Sequence, residues 1–327
     1  MHGNRSGQRM TDPDIIVLRK GIHGLSSSEL AMALRERLPD HGIECAATPA
    51  EERDLIEDAP IVVGQVIDEE LLDHAGNLRL FAGFSAGYGH LPMDALDEHD
   101  VAVTSASGVH GPNIAEDVLG FLLSLTRRHY EGWRRQQQHE WRAYPTREFA
   151  GSTVTVVGLG AIGNAIVERL SGFDVHTIGV RHSPEKGGPT DEVLGTDELH
   201  DALARTDSVV LAVPLNEGTE GLIGEEEFAT LSPEAFLVNV ARGPVVDTDA
   251  LVAALHDNAI GGAALDVTDP EPLPADHQLW KFENVLITPH NTGNTPMYYE
   301  RLADIVAENV ERVDETGEYE DLKNQVL

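Results

Sequence analysis

A glycine-rich segment offers the clearest chemistry in this sequence. Apolar residues 154–157 lead into a Gly-x-Gly-x-x-Gly pattern made by Gly158, Gly160 and Gly163, and residues 164–170 have the apolar spacing of a helix. In a strand–turn–helix setting, glycines at this spacing let the pyrophosphate of a dinucleotide approach the backbone at a helix N-terminus. We therefore expect a dinucleotide site in this part of the chain.

The end of the next apolar segment bears on which dinucleotide binds. In a dinucleotide fold, an Asp or Glu roughly twenty residues after the glycines usually binds the adenine ribose hydroxyls. This chain has Arg181 there, followed by His182 and Ser183, with Lys186 a little further along. Since a cation can pair with a 2′-phosphate, the sequence predicts a preference for NADP(H), with NAD(H) as the second cofactor. A solvated Arg181 that binds no ligand is the alternative interpretation.

Three side chains suited to acid–base and anion chemistry follow three later apolar segments. They are Arg242, Glu271 and His290. Open parallel sheets bind ligands at the carboxyl ends of their strands, so these side chains can converge on one point. Arginine offers a bidentate fork for a carboxylate, and a histidine beside a carboxylate is a general acid/base whose cationic form is favoured. With a hydride carrier, this set suits the interconversion of a 2-keto acid and a 2-hydroxy acid.

Short apolar segments alternate with helical patterns along the whole chain. This alternation indicates α/β architecture, with parallel sheets covered by helices on both faces. The predicted strands fall into two blocks. They are 15–18, 43–47, 61–64, 78–83 and 101–105 in the first block, and 154–157, 175–180, 208–213, 236–240, 262–267 and 285–288 in the second.

The order of the predicted elements indicates two doubly wound domains, one inserted into the other. A long helix is expected over residues 113–129 before the second block, and a last helix over 296–316 follows the completed second sheet. We therefore predict a Rossmann dinucleotide-binding domain at residues 113–295. It would be inserted into a flavodoxin-like substrate domain made of residues 1–112 and 296–327, with ligands in the cleft between the domains.

The chain is strongly acidic. Its 327 residues include 56 Asp and Glu against 23 Lys and Arg, a net charge of −33. Such a surface repels nucleic acid and anionic lipid, so we expect neither as a partner. The 41% of hydrophobic residues, arranged periodically, argue against disorder. The composition favours a protein kept soluble in concentrated salt, as in a halophilic archaeon.

The sequence also favours a cytoplasmic protein without a metal site. Cys45 is the single cysteine, and no apolar run is long enough to span a bilayer. Residues 1–11 are polar and lack the hydrophobic region of a signal peptide. His110, His129 and His139 lack metal-ligand spacing, so we interpret them as surface residues and expect no metal.

Several motifs in one order resemble the D-isomer-specific 2-hydroxyacid dehydrogenases, over roughly residues 86–320. The resemblance, together with Arg181, implies an oxidoreductase that uses NADP(H) to reduce 2-keto acids. The matching motifs are residues 158–163, Val213-Pro214-Leu215, residues 219–222, residues 239–243 with Val246-Asp247, residues 264–267, Glu271-Pro272-Leu273 and Pro289-His290.

The resemblance implies a role for each catalytic candidate. Arg242 would bind the substrate carboxylate and polarise the keto oxygen. His290 would give a proton to that oxygen, and Glu271 would orient His290 and stabilise its protonated form. Asp269 is a nearby acid, but the family's acid lies five residues after the strand aspartate, here Asp266, which selects Glu271.

The resemblance also implies contacts with the cofactor and the substrate from several loops. Ser85, Ala86 and Gly87 would meet the substrate, together with Arg242 and His290. The cofactor-binding residues would be Gly158, Gly160, Ala161, Ile162, Gly163, Arg181, His182, Ser183, Val213, Pro214, Thr219, Val240, Ala241, Asp266 and Tyr88.

Relatives dimerise through the region that matches residues 113–129 and the Trp-containing stretch after it, so a homodimer is expected. Trp141 matches a position that reaches the partner's substrate pocket in some relatives, and packing at the domain junction is the equal alternative. The loop His90-Leu91-Pro92-Met93 departs from the family pattern of an Asp followed by an apolar residue, which leaves the choice of substrate open.

Two other functions remain open from the sequence. One is an NAD(H)-dependent member of the same family, of the phosphoglycerate or the glyoxylate/hydroxypyruvate type. The other is a non-catalytic, dinucleotide-sensing binding protein, since a fold does not fix a function.

Overall fold

The computed structural model describes residues 13–22 and 24–327, which form two compact units. The first unit contains the described residues up to Val109 together with Thr295–Leu327, and the second is His110–Asn294. The first unit is therefore built from two stretches of sequence that flank the second. The expected polar leader at residues 1–11 lies outside the described residues.

Short strands build one parallel sheet in each unit. All pairings between them are parallel, and residues 15, 43 and 61 lie side by side in the first sheet. The strands are β1 (Ile15–Val17), β2 (Ile43–Cys45), β3 (Ile61–Gly64), β4 (Leu80–Gly83), β5 (Ala102–Thr104), β6 (Thr153–Val157), β7 (His176–Val180), β8 (Glu192–Leu194), β9 (Ser208–Leu211), β10 (Phe236–Asn239), β11 (Gly262–Leu265) and β12 (Val285–Ile287).

The strand orders confirm the predicted fold class. The first sheet has the order β2-β1-β3-β4-β5, the doubly wound order of flavodoxin-like folds. The second has the order β12-β11-β10-β9-β6-β7-β8, which is a Rossmann arrangement. The chain adds strands on one side of β6 up to β8 and then continues on the other side from β9. The sequence did not predict β8, because this three-residue edge strand is only half-buried and lacks an apolar run.

Helices cover the sheets, and one helix predicted from the sequence is two helices in the structure. The helix expected over 113–129 ends at Thr126, because Arg128 takes the left-handed conformation (φ +54°), and a new helix begins at His129. The helices are α1 (Ser27–Arg37), α2 (Pro49–Ile56), α3 (Glu69–Leu72), α4 (Met93–Glu98), α5 (Gly111–Thr126), α6 (His129–Gln137), α7 (Ala161–Leu170), α8 (Leu199–Leu203), α9 (Glu225–Thr230), α10 (Thr248–His256) and α11 (Tyr298–Thr316).

Helix α11 belongs to the core of the first unit. Its apolar stripe, which includes Leu302 and Val306, packs with α1 over strand residues such as Ile15 and Leu80. Full burial of an aliphatic side chain stabilises a fold by about 1.5–3 kcal/mol. The stripe therefore holds α11 on the first sheet although the second unit separates it from that sheet in sequence.

In the second unit, α5 and α7 cover the face of the sheet next to the glycine-rich turn. Gly111 allows their close approach, because a Cβ added there would lie 3.1 Å from the Cβ of Ala165. Leu122 and Leu125 of α5 and Ile166 of α7 are fully buried in the same apolar cluster. This packing fixes the start of α7, at which the dinucleotide is expected.

Candidate active site

The three glycines after β6 have different physical roles. Gly158 has φ +98°, and a Cβ there would lie 2.5 Å from the carbonyl oxygen of Ala212. A Cβ on Gly163 would lie 1.9 Å from the carbonyl oxygen of Gly158. By contrast, a Cβ on Gly160 would meet no atom within 4 Å. Packing therefore requires the first and third glycines, whereas the second leaves open space above the turn.

The start of α7 suits a phosphate. Gly160 is the N-cap residue, no side chain caps the helix, and its first turn contains no acidic residue. The amides of Ala161 and Ile162 are at the positive end of the helix dipole, where anions are stabilised. Together with the open space at Gly160, this geometry fits a dinucleotide pyrophosphate.

Arg181 is held in the loop that follows β7. It is half-buried, and its Nη1 donates a hydrogen bond of 2.6 Å to the carbonyl oxygen of Gly187. Its backbone N–H donates to the carbonyl oxygen of Leu194. His182 and Lys186 are exposed in the same loop. The loop thus gathers three basic side chains where a dinucleotide fold binds the adenine ribose.

The loop after β9 lies beside the glycine-rich turn, because β9 neighbours β6, and the loop after β10 lies one strand further along the same sheet. After β9, Val213 is half-buried and Pro214 is exposed, while Val240 and Ala241 follow β10 and are buried. Thr219 closes the β9 loop by donating its hydroxyl to the carbonyl oxygen of Pro214, at 2.6 Å. Its hydroxyl therefore shapes the loop that was expected to contact the cofactor.

His290 and Glu271 form a direct pair. The Nδ1 of His290 lies 2.7 Å from Oε1 of Glu271, and both side chains are about half exposed. An ionised carboxylate only accepts hydrogen bonds, so Nδ1 carries a proton and Nε2 remains for proton exchange. In the neutral ring Nε2 is a base, and in the cationic ring it is an acid. The pair can therefore exchange one proton with a ligand.

A sharp turn after β12 presents His290. The residue takes the left-handed conformation (φ +51°), which is uncommon for a side chain other than glycine. Its N–H donates to the carbonyl oxygens of Asp266, at 2.8 Å, and of Thr288, at 3.0 Å. The bond to Asp266 ties the turn to the end of β11, and the bond to Thr288 closes the turn on itself.

The buried carboxylate of Asp266 holds the same turn. It accepts hydrogen bonds from the hydroxyls of Thr288 and Thr292, both at 2.6 Å, and from the amides of Asn291 and Thr292. Burial and the nearby charge of Asp266 raise the pKa of Asp117 on α5. Asp266 was expected to face the nicotinamide end of a cofactor. In the structure its oxygens are occupied by the turn that carries His290.

Arg242 follows β10, whose neighbours in the sheet are β9 and β11. It is exposed, and its Nη1 donates to the carbonyl oxygen of Ala241 at 2.7 Å. The side-chain amide of Asn239 donates to the carbonyl oxygen of Arg242. Gly243 packs closely on the segment after β11, since a Cβ there would lie 2.0 Å from the carbonyl oxygen of Thr268. The adjacent strands β10, β11 and β12 are thus followed, at their carboxyl ends, by Arg242, Glu271 and His290.

An apolar cavity of about 490 Å³ adjoins the histidine–carboxylate pair. Its wall includes Leu273, Trp280 and Ile287 besides Glu271 and His290. A largely apolar cavity strengthens electrostatic interactions at its edge, which suits proton transfer.

The substrate residues expected in the first unit follow β4. Ser85, Ala86 and Gly87 form the turn at its carboxyl end, and Tyr88 is 43% exposed. A Cβ on Gly87 would meet no atom within 4 Å.

Sequence analysis missed the residues that hold the His290 turn. Thr288, Asn291 and Thr292 bond to Asp266, and the side-chain amide of Asn113 donates to the carbonyl oxygen of Thr292. Single threonines and asparagines carry no pattern in one sequence that would reveal such contacts.

The described residues contain neither a metal-binding cluster nor a membrane-spanning helix. In residues 13–22 and 24–327, no three His, Cys, Asp or Glu side chains are arranged to hold a metal ion. No helix of that part is both long enough and apolar enough to span a lipid bilayer.

Known proteins resemble this chain in sequence and in fold. Residues 119–292 match the family described as D-isomer specific 2-hydroxyacid dehydrogenase, NAD binding domain. A glyoxylate reductase from Thermofilum pendens is 39% identical over 254 residues, which cover 75% of this chain and 74% of that protein. A (S)-sulfolactate dehydrogenase from Chromohalobacter salexigens is 36% identical over 253 residues, covering 75% of this chain and 81% of that protein.

A solved structure agrees over almost the whole length. The D-isomer specific 2-hydroxyacid dehydrogenase from Xanthobacter autotrophicus Py2, in complex with NADPH and MES, superposes with a TM-score of 0.76. It is 29% identical, and the match covers 96% of this chain and 98% of that one.

Proposed function

Because the chain belongs to the D-isomer specific 2-hydroxyacid dehydrogenases, we propose that it is an NADP(H)-preferring enzyme that reduces small 2-keto acids to D-2-hydroxy acids. The observation that carries the proposal is the 2.7 Å contact between His290 Nδ1 and Glu271 Oε1. The contact lies in the unit that also contains the glycine-rich turn with Gly160.

The proposed reaction uses His290 as general acid. A bound nicotinamide dinucleotide supplies the hydride. His290 gives the proton on Nε2 to the keto oxygen, and Glu271 stabilises the imidazolium beforehand and keeps the ring oriented. In the oxidation of a hydroxy acid, the neutral ring takes the proton back through the same nitrogen.

Other side chains would bind the substrate. Arg242 offers its guanidinium fork to the carboxylate and polarises the adjacent keto oxygen. Ser85, Ala86 and Gly87 would bind the same carboxylate through backbone amides.

The cofactor preference rests on the loop after β7. We propose that Arg181 pairs with the 2′-phosphate of NADP(H), with added donors from His182 and Ser183. The solved relative from Xanthobacter autotrophicus Py2 is in complex with NADPH. The glycine turn, with Ala161 and Ile162, would hold the pyrophosphate. Residues 113–295 would thus bind the dinucleotide, and residues 1–112 with 296–327 the substrate.

The substrate class is a short 2-keto acid. The relatives of this chain include a glyoxylate reductase and a (S)-sulfolactate dehydrogenase. Glyoxylate and 3-sulfopyruvate, the keto form of sulfolactate, share the 2-keto-carboxylate group that Arg242 and His290 would recognise.

We also propose a salt-adapted, cytoplasmic homodimer. The net charge of −33 supports salt adaptation. Exposed Trp133 and Trp141 support association through the segment that begins with α6, because large exposed aromatic side chains mark interfaces.

Oxidation of NADPH with a panel of 2-keto acids in concentrated KCl tests the function. The panel contains glyoxylate, hydroxypyruvate, pyruvate and 3-sulfopyruvate. Turnover of at least one of them that is lost in His290→Gln is the expected result. Binding of NADPH without turnover of any of these acids would favour a dinucleotide-sensing protein instead.

A further inference from the structure

The turn after β4 is anchored through its carbonyl groups. The N–H of Phe84 donates to the carbonyl oxygen of Gly64 at 2.9 Å, and the carbonyl oxygen of Ser85 accepts from the N–H of Ala106 at 3.0 Å. The carbonyl oxygen of Phe84 accepts a hydrogen bond from the hydroxyl of Tyr298. Two successive peptide planes, 84–85 and 85–86, are thus held by their oxygens.

Within the described residues, the backbone amides of the same turn have no hydrogen-bond acceptor. In the described part of the chain, no acceptor bonds to the N–H of Ser85, Ala86 or Gly87. A trans peptide is planar and directs its N–H away from its C=O. The anchored oxygens of Phe84 and Ser85 therefore fix the directions of the Ser85 and Ala86 amides, which remain available to an anion.

Tyr298 is suited to a permanent anchor. It is the first residue of α11 and is 1% exposed. Burial raises the pKa of Tyr298 to about 12, so the hydroxyl remains a hydrogen-bond donor at neutral and moderately alkaline pH. Its ring packs edge-on against Tyr299, with the centroids 6.0 Å apart, and Tyr299 in turn contacts Phe84. The anchor therefore joins α11 to the end of β4.

We propose that Tyr298 is a positioning residue that fixes the turn at Ser85, Ala86 and Gly87 in its carboxylate-binding form. The inference rests on the proposed function, because it takes these amides to bind the 2-keto acid. Without the hydroxyl, the 84–85 peptide loses the bond that sets its orientation. The amides then have to be ordered by the substrate itself, which weakens substrate binding and leaves the cofactor site unchanged.

Tyr298→Phe tests the inference, with Tyr299→Phe as the matched control. The hydroxyl of Tyr299 accepts from the N–H of Ile22 at 3.1 Å and donates to the carbonyl oxygen of Leu25, so it serves a different loop. Each variant removes one buried oxygen from neighbouring residues of α11. Melting temperatures of both variants show the structural cost of that loss.

The expected result is a rise in KM for the 2-keto acid only in Tyr298→Phe. We expect a rise of about three- to tenfold, on the scale of one net hydrogen bond, with kcat and the KM for NADPH within about twofold of the parent. The Kd of oxalate in the presence of NADP⁺, measured by calorimetry, should rise by the same factor. Equal substrate KM and oxalate Kd in the two variants would overturn the inference.

Ala86→Pro separates this inference from the proposed function, because it removes one of the amides directly. Gly87→Pro repeats the test at the next amide if the first variant does not fold. A rise in oxalate Kd in the proline variant but not in Tyr298→Phe would reject the anchor and retain the turn as the carboxylate site. An unchanged Kd in both the proline variant and Tyr298→Phe would reject the carboxylate site and the anchor together.

Discussion

The contact between His290 and Glu271 determines what each of these residues can do. Because the carboxylate occupies Nδ1, only Nε2 can exchange a proton with a substrate. The sequence supplied both residues, through their positions after predicted strands and the family motifs. The sequence could not predict the left-handed backbone conformation of His290, because that conformation depends on hydrogen bonds to Asp266 and Thr288.

Arg181 carries the prediction on cofactor choice. Arg181→Asp should reduce or reverse the preference for NADPH, because it replaces the proposed partner of the 2′-phosphate with a like charge. The expected change in the ratio of kcat/KM for NADPH and NADH is about ten- to a hundredfold, the value of one charge-assisted pair. The exposed Arg169 on α7 provides the control Arg169→Asp. A parent enzyme that uses NADH as well as or better than NADPH would contradict the prediction.

The elements of the fold were largely predictable, and their polar connections were not. Apolar runs located eleven strands because parallel strands are buried on both faces. The half-buried β8 and the break at Arg128 escaped prediction, since the first lacks an apolar run and the second depends on a single backbone angle. The turn after β12 is held by a buried carboxylate whose donors lie more than twenty residues away in sequence.

The turn after β12 should depend on the carboxylate of Asp266 for its stability. Asp266→Asn should lower the melting temperature and kcat, because an amide cannot accept from four donor groups as a carboxylate does. We expect a loss of about 2 kcal/mol, or roughly 4–8 °C for a unit of this size. The control is Asp269→Asn, which makes the same change on an exposed side chain of the next loop. Equal melting temperatures for the two variants would show that the turn does not depend on Asp266.

The charge of the whole molecule predicts its response to salt. At a net charge of −33 the folded chain repels itself, and mobile ions screen that repulsion. The melting temperature should therefore rise between about 0.05 M and about 2 M KCl, concentrations at which the Debye length changes from well above to below 10 Å. Calorimetry over this range measures it, and a constant melting temperature would refute salt adaptation.

The whole molecule should also be a dimer. Trp133 is 54% exposed and borders a groove of about 460 Å³ lined by Phe121 and Trp280. Sedimentation in concentrated salt should show a dimer for the parent chain and a monomer for Trp133→Arg, because the cation would be buried without a partner. Met32→Arg changes an exposed residue of the first unit and should remain dimeric. A parent monomer at micromolar concentration would exclude the proposed assembly.

The general-acid role of His290 is the central claim, and the kcat of His290→Gln with saturating NADPH and keto acid tests it most directly. We expect kcat to fall roughly a hundredfold or more, the usual contribution of a general acid, with NADPH binding unchanged. Near-normal reduction by His290→Gln would show that another group donates the proton.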